Sequence, residues 1–318
     1  MNEKIPIEIL NPFQNIIKKE PFYHTNLGAA YLGDSIKLLK KIPDESINLI
    51  MTSPPFALQF KKEYGNVSSD EYVKWFIKKF SYQFFRILTE DGSLVIDIGG
   101  SWNKGKPTKS LYNYDLLLKL CKERSVKKKK MRFHLAQDFF WYNPAALPTP
   151  AEWVNVKRIR VKAAVNTIWW LSKTENPKAN NRNVLKPYSK AMQQLLVNGY
   201  RAKERPSGYK ITTKFNKDHG GAIPPNFLEF GNNESNSEYL TKCGESNIKA
   251  HPARFPKKLP EFFIKFLTSP GDIVLDPFAG SNVTGEAAED LGRKWISFEI
   301  IENYLEGSKH RFASIMVS

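Results

Sequence analysis

Short apolar runs alternate with amphipathic stretches along most of the chain. Ala29–Asp34 reads as a strand ending in Gly-Asp, and Ser35 is placed to cap a helix over Ile36–Lys41. Ile47–Met51 is a mostly apolar run, read as a buried strand. Asp70–Leu88 carries Tyr72, Trp75, Phe76, Phe80, Phe84 and Leu88 on one helical face, an aromatic stripe that reads as core. Ser93–Ile98 predicts a strand with Asp97 near its end. A helix over Tyr114–Glu123 and strands over Phe133–Tyr142 and Ala164–Leu171 follow. After a long polar stretch the pattern returns: helix Leu259–Leu267, strand Ile273–Leu275, helix Glu286–Leu291, and strand Trp295–Phe298 ending at Glu299. Strand, helix, strand in this order predicts parallel crossovers and an α/β fold.

Residues 1–25, with Pro6, Pro12 and Pro21, read as an arm. Residues 26–174 and 249–318 carry the regular pattern. Between them, 175–248 is rich in Asn, Lys, Gly, Ser and Pro and reads as an irregular inserted region. Its Arg182, Lys186, Arg201, Lys203, Arg205, Lys210, Lys214 and Lys217 are spread among Asn, Gln and aromatic neighbours, a composition suited to groove and backbone contacts with nucleic acid. The run Lys127–Lys130 with Arg132 reads as a solvated face that could also touch phosphate.

Charge narrows the partner class. The 318 residues carry a formal net charge of +16, which favours a polyanion, most simply nucleic acid. No stretch approaches the roughly 20 apolar residues of a membrane span, and the N-terminal MNEKIPIEIL lacks an apolar signal core. Cys121 and Cys243 lie far apart without metal-ligand spacing, which fits a reducing cytoplasm and no metal site.

The chemistry gathers at Thr52-Ser53-Pro54-Pro55-Phe56. A strand running into two prolines can neither extend its ladder nor begin a helix. The carbonyls of Ser53 and Pro54 are left to accept from another group, beside one hydroxyl and one aromatic plate. Such a seat suits a planar group with an exocyclic amine, and a nucleobase is one. A second constellation follows strand Ile273–Leu275. The small-residue loop Asp276–Gly285 precedes a helix, and Glu299 at the end of the next strand is placed to meet ribose hydroxyls. Opening on an acid, the loop suits a ligand with a cationic part better than a pyrophosphate.

The segments "TSPPF", "HPARFP", "DPFAGSNVTG" and "YLGDS" together resemble the S-adenosylmethionine-dependent amino-methyltransferases of DNA, in the permuted β arrangement, over about residues 25 to 305. The resemblance implies a circularly permuted Rossmann-like class I methyltransferase fold with a mixed, mainly parallel seven-stranded sheet. It assigns 26–174 to a catalytic half, 175–248 to target recognition and 249–318 to a cofactor half. It implies S-adenosyl-L-methionine as cofactor. Glu299 would bind its ribose and Asp34 its adenine amino group. Asp276, Pro277, Phe278, Gly280, Ser281 and Thr284 would line it. His251, Pro252, Ala253 and Phe255 would pack near its methionine end. Ser53, Pro54, Pro55 and Phe56 would hold the target base. Apart from the resemblance, Asp97 at the end of a neighbouring strand is placed to orient Ser53 or accept the proton. Asn282 stands where the family often has glycine.

Serine at the head of the catalytic loop is similar to the cytosine-N4 enzymes; the adenine-N6 enzymes more often carry Asp or Asn there. Cytosine-C5 chemistry needs a nucleophilic Cys after a proline, whereas Cys121 follows Leu120 and Cys243 follows Lys242. The implied function is site-specific methylation of cytosine N4 in double-stranded DNA. A prokaryotic enzyme of this kind would act at the nucleoid in the cytoplasm and protect the host from a paired restriction endonuclease. Adenine-N6 methylation, an RNA methyltransferase and a DNA-binding module without catalysis remain as alternatives.

Overall fold

The computed structural model describes residues 17–57, 67–199, 217–232 and 237–317. In chain order the elements are β1 (Tyr23–His24), β2 (Gly28–Leu32), α1 (Ser35–Leu39), β3 (Ile47–Thr52), α2 (Ser69–Phe76), α3 (Tyr82–Ile87), β4 (Leu88–Ile98) and α4 (Tyr112–Cys121). The hairpin β5 (Arg124–Val126) and β6 (Lys129–Met131) leads into β7 (His134–Tyr142) and β8 (Val165–Ser172). Then come α5 (Lys190–Asn198), β9 (Phe227–Glu229), α6 (Glu238–Glu245), α7 (Lys258–Leu267), β10 (Ile273–Asp276), α8 (Val283–Asp290), β11 (Lys294–Glu299) and α9 (Glu302–Ser308).

One sheet runs β1-β2-β11-β10-β3-β4-β8-β7-β9. Strands β2, β11, β10, β3 and β4 are mutually parallel, and β8 runs antiparallel between β4 and β7. The sheet therefore has nine strands where seven were expected. The seven from β2 to β7 form the body; the two- and three-residue strands β1 and β9 extend its edges. Strands this short carry no periodicity for sequence reading to detect. β9 comes from the inserted region, which also holds α5 and α6, so that region is not irregular throughout. The described part of the supposed arm belongs to the body as well: Ile17, Tyr23 and Thr25 are buried.

Both faces of the sheet are covered, which is why its central strands are nearly all apolar. On one face the stripe Tyr72, Phe76, Phe80 and Phe84 packs with Leu116 and Trp169; on the other, Phe263, Ile264 and Phe312 pack with Leu49 and Trp295. The helix expected over 70–88 is broken by a π turn at Ile77–Ser81, where Ser81 Oγ donates to Ile77 O at 2.6 Å. The cap of α1 is Asp34 rather than Ser35: Asp34 Oδ1 accepts from Ile36 N at 2.8 Å, and the Ser35 hydroxyl instead donates to Pro277 O. Helix α8 starts three residues earlier than expected, because Asn282 caps it from a left-handed conformation (φ 55°). Asparagine tolerates that region without glycine's freedom. Asn282 Nδ2 donates to Tyr23 Oη at 2.8 Å, and its Oδ1 accepts from Gly285 N at 3.2 Å. Among the described residues no helix is long and apolar enough to cross a membrane, and no group of three or more His, Cys, Asp or Glu side chains could hold a metal ion.

Candidate active site

The parallel strands deliver their carboxyl ends to one edge of the sheet, where α/β folds hold ligands. β3 ends in Ser53-Pro54-Pro55-Phe56, β4 in Asp97, β10 in Asp276 and β11 in Glu299. A cavity of about 480 Å³ opens there, lined by the loop Ser53–Phe56 on one side and by Pro277–Ser281 on the other.

Beneath the cavity, Asp276 ties the two loops together. Its Oδ1 accepts from Thr52 Oγ1 at 2.8 Å and from Phe278 N at 3.0 Å; its Oδ2 accepts from Thr284 Oγ1 at 2.7 Å. Burial raises its pKa to about 6, against the pull of these donors. Asp276 and Thr284 thus lie behind the cavity wall, holding its shape, and neither is part of the lining.

On the Ser53 side, Ser53 Oγ donates to Asp97 Oδ2 at 3.3 Å. Asp97 is buried, and its Oδ1 has no hydrogen-bond partner. Burial pushes its pKa up to about 7, while hydrogen bonds from Ser53 and Asn166 pull it down. Phe56 packs against Gly99, where an added Cβ would fall 2.6 Å from the ring. The Tyr112 hydroxyl donates to Gly99 O and takes a hydrogen bond from the backbone of Ala57, which pins the loop to the end of β4.

On the other side, Glu299 Oε2 accepts from Gly280 N at 2.8 Å, and Oε1 accepts from Ile300 N and Ile301 N, each at 2.9 Å. Burial raises the Glu299 pKa against those three donors. The loop turns at Gly280 (φ +53°), where any Cβ would press on the His251 ring at 3.0 Å. Arg311 Nε holds Ser281 O at 2.9 Å. Burial, together with the nearby Arg254 charge, lowers His251 to about 4, so its imidazole is neutral at pH 7.

The N6_N4_Mtase family model, described as DNA methylase, matches residues 47–310. The chain belongs to this DNA methylase family. The type II methyltransferase M.PvuII of Proteus hauseri is 52% identical over 94% of this chain and 88% of its own length. M.BamHI of Bacillus amyloliquefaciens is 28% identical over 92% of this chain and 59% of that longer relative. Among solved structures, the PvuII DNA methyltransferase (cytosine-N4-specific) superimposes with a TM-score of 0.74 at 47% identity, covering 93% of this chain and 90% of that one. The Thermus thermophilus protein TTHA0409, solved with S-adenosyl-L-methionine, shares the fold at 20% identity (TM-score 0.52, 89% and 92% covered).

In this methylase the cavity brings together Asp34, Ser53, Pro54, Pro55, Phe56, Asp97, His251, Ala253, Phe255, Pro277, Phe278, Gly280, Ser281 and Glu299. Asp276, Thr284 and Pro252 stand outside its lining. Among the lining residues not foreseen are Trp75 and Phe80 of the aromatic stripe, Trp141, Asn166 and Arg254. Asn166 carried a signal, a lone amide near the start of the apolar run of β8. Neither cysteine lines the cavity, and burial raises both thiols.

The expected DNA contacts scatter. Arg201, Lys203, Arg205, Lys210 and Lys214 lie outside the described residues. Arg182 sits in a 3-10 turn beside the carboxyl end of α7, where Asn183 Nδ2 donates to Lys265 O at 3.0 Å. That helix end leads into the start of β10, at the sheet edge opposite the cavity. Lys186 bridges to Ala222, and Lys217 is exposed. The Lys127–Lys130 run proves to be the turn of the β5–β6 hairpin and the start of β6, with Lys127 (φ 50°) and Lys128 (φ 65°) left-handed at the turn. It precedes the first residue of β7 and also lies at the far edge.

Proposed function

We propose that this methylase transfers a methyl group from S-adenosyl-L-methionine to N4 of a cytosine flipped out of duplex DNA. The Ser53–Asp97 contact, facing the cavity beside Pro54 and the Phe56 ring, carries the reading. The chain's likeness to M.PvuII supports cytosine N4 over adenine N6.

The residues present fit the cofactor. Three carboxylates (Asp34, Asp97, Glu299) and the apolar faces of Phe278 and Phe255 line the cavity, and the neutral His251 ring does not repel a cation. Glu299 and Asp34 would hold the ribose and adenine ends, and His251 and Phe255 the methionine end. Bound S-adenosyl-L-methionine supplies an electrophilic methyl on a sulfonium that leaves readily.

The chain's own residues do the rest. The Pro54 carbonyl and Ser53 Oγ accept N–H bonds from the exocyclic amine, which favours a pyramidal nitrogen with its lone pair freed from the ring. Positioning of this kind supplies much of the rate. Ser53 donates to Asp97, so a proton lost from the amine can pass through Ser53 Oγ to Asp97 Oδ2. An acid raised to about 7 accepts it at neutral pH. Flipping costs a few kcal/mol, and stacking on Phe56 returns about 1–3 kcal/mol.

In the cell this chemistry fits the modification arm of a restriction–modification system, working on the chromosome in the cytoplasm beside a cognate endonuclease. Transfer of labelled methyl to unmethylated duplex DNA, followed by nucleoside mass spectrometry, tests the reading. N4-methylcytosine is expected. N6-methyladenine would overturn the base assignment, and transfer to RNA in preference to duplex DNA would overturn the substrate.

A further inference from the structure

We propose that two loops of the catalytic half, 101–110 and 156–162, form a cationic clamp for the DNA phosphates that flank the target base. The inference rests on the duplex-DNA reading above, and it moves the phosphate grip away from the inserted region.

Strand direction places the loops. Ile98, the last residue of β4, pairs with Thr167 of β8, and Val165 at the start of β8 pairs with Tyr142 at the end of β7. The chain leaving β4 and the β7–β8 connection therefore both emerge at the edge that holds Ser53 and Asp97. The loops touch: Arg160 Nε donates to Pro107 O at 3.0 Å.

Both loops are built structures. The first is closed by Ser110 N to Ser101 O at 2.8 Å and Asn103 N to Thr108 O at 2.9 Å. The second is closed by Ala163 N to Thr149 O at 3.1 Å and by Ile159 N to O of the buried Trp153 at 2.9 Å. Their cations are held out into solvent on a fixed base.

The charge is one-sided. Lys104, Lys106 and Lys109 stand on the first loop, and Lys157, Arg158, Arg160 and Lys162 on the second, all exposed. Glu152, just ahead of the second loop, is the acid near them, and it pairs with Lys157 at 3.0 Å. Lys109 rests over the Trp102 ring, and Lys162 reaches two carbonyls. Among the described residues the side chains of Lys104, Lys106 and Arg158 have no hydrogen-bond or ion-pair partner. Seven like charges on two touching loops repel one another, and a polyanion laid between them relieves that repulsion and releases its condensed counterions. At the opposite edge Lys173 pairs with Glu45 at 3.0 Å and Lys178 with Asp272 at 2.6 Å.

The test uses the full chain with Lys104→Gln, Lys106→Gln and Arg158→Gln combined, three side chains whose removal breaks no internal contact. Binding to duplex oligonucleotides with and without the methylation site is measured across a salt series. S-adenosyl-L-methionine binding without DNA reports on folding. Affinity for both duplexes is expected to fall by about tenfold to a hundredfold at physiological salt, and the slope of log K against log salt to shrink by about one per lost contact. The charge-keeping combination Lys104→Arg, Lys106→Arg and Arg158→Lys should bind as the parent does. An unchanged salt slope in the Gln variant overturns the clamp and leaves the proposed function standing. A parent protein that binds no duplex overturns both. Loss of affinity in the charge-keeping variant also overturns the clamp, because the cause is then not charge.

Discussion

Two aspartates stand at the ends of the strands on either side of β3. Both are buried, and burial raises both: Asp276 to about 6 and Asp97 to about 7. They differ in what surrounds the carboxylate. Asp276 receives three donors between 2.7 and 3.0 Å and turns its back on the cavity. Asp97 receives side-chain donors, the Ser53 hydroxyl at 3.3 Å and Asn166, keeps Oδ1 without a partner, and faces the cavity. Burial alone does not distinguish a latch from a reacting group. The complement of donors does, because a saturated carboxylate has little left to offer a proton or a ligand.

The sharpest way to break this contrast is Asp276→Ala. It strands the Thr52 and Thr284 hydroxyls and the Phe278 N–H in a buried site, at about 1–3 kcal/mol each. A loss of several kcal/mol in denaturant unfolding is expected, with transfer abolished because the two loops separate. Stability within 1 kcal/mol of the parent, by the measure of about ±0.5 kcal/mol for surface changes, would show that Asp276 is no latch.

Asp97→Asn should act the other way. Transfer in a single turnover is expected to fall about a hundredfold, while stability at pH 7 holds or rises. The sign follows from linkage. Native Asp97 keeps a proton that the unfolded chain, with its carboxyl near 3.8, has released. Stability is therefore fully present below about pH 4 and drains away as pH rises to about 7. Asn removes that drain, so the stability curve of the variant is flatter across this window. The rate of the parent should climb with pH and level off above about 7; a flat rate profile would take the proton from Asp97.

The smallest effect probes the loop between them. Gly99→Ala pushes a methyl into the Phe56 ring and should slow transfer about tenfold, since small displacements of positioning groups are costly. In a Phe56→Ala background the same change should do little, and additive losses would show that the two do not communicate.

That the Ser53–Phe56 loop, the Gly280 loop and Glu299 line one cavity was legible because each is a short segment with distinctive local backbone chemistry at a strand end. The long strands and helices were legible from their periodicity. Asp276 was misplaced into the lining because its partners Thr52 and Thr284 come from different segments, and one strand end looks like another. Asn166 and Trp141 were hidden in strands that read as core. The cationic loops were hidden because an isolated Lys in 101–109 is an ordinary polar residue until strand direction sets it beside Arg158. Arg182 looked like a groove contact, and the structure puts it by the far end of α7.

One feature of the sheet bears on how the protein comes into being. Its centre joins β3 to β10, and the Thr52–Asp276 bond spans 224 positions of chain. On the ribosome, the apolar edge of β3 emerges long before its neighbour exists. Loop closure over that separation is slow, and an unpaired hydrophobic edge invites association with other nascent chains. The half that carries the Ser53–Phe56 loop must therefore wait, sheltered or at risk, until β10 has been made, and a product truncated before β10 is a candidate for aggregation rather than a half-working enzyme.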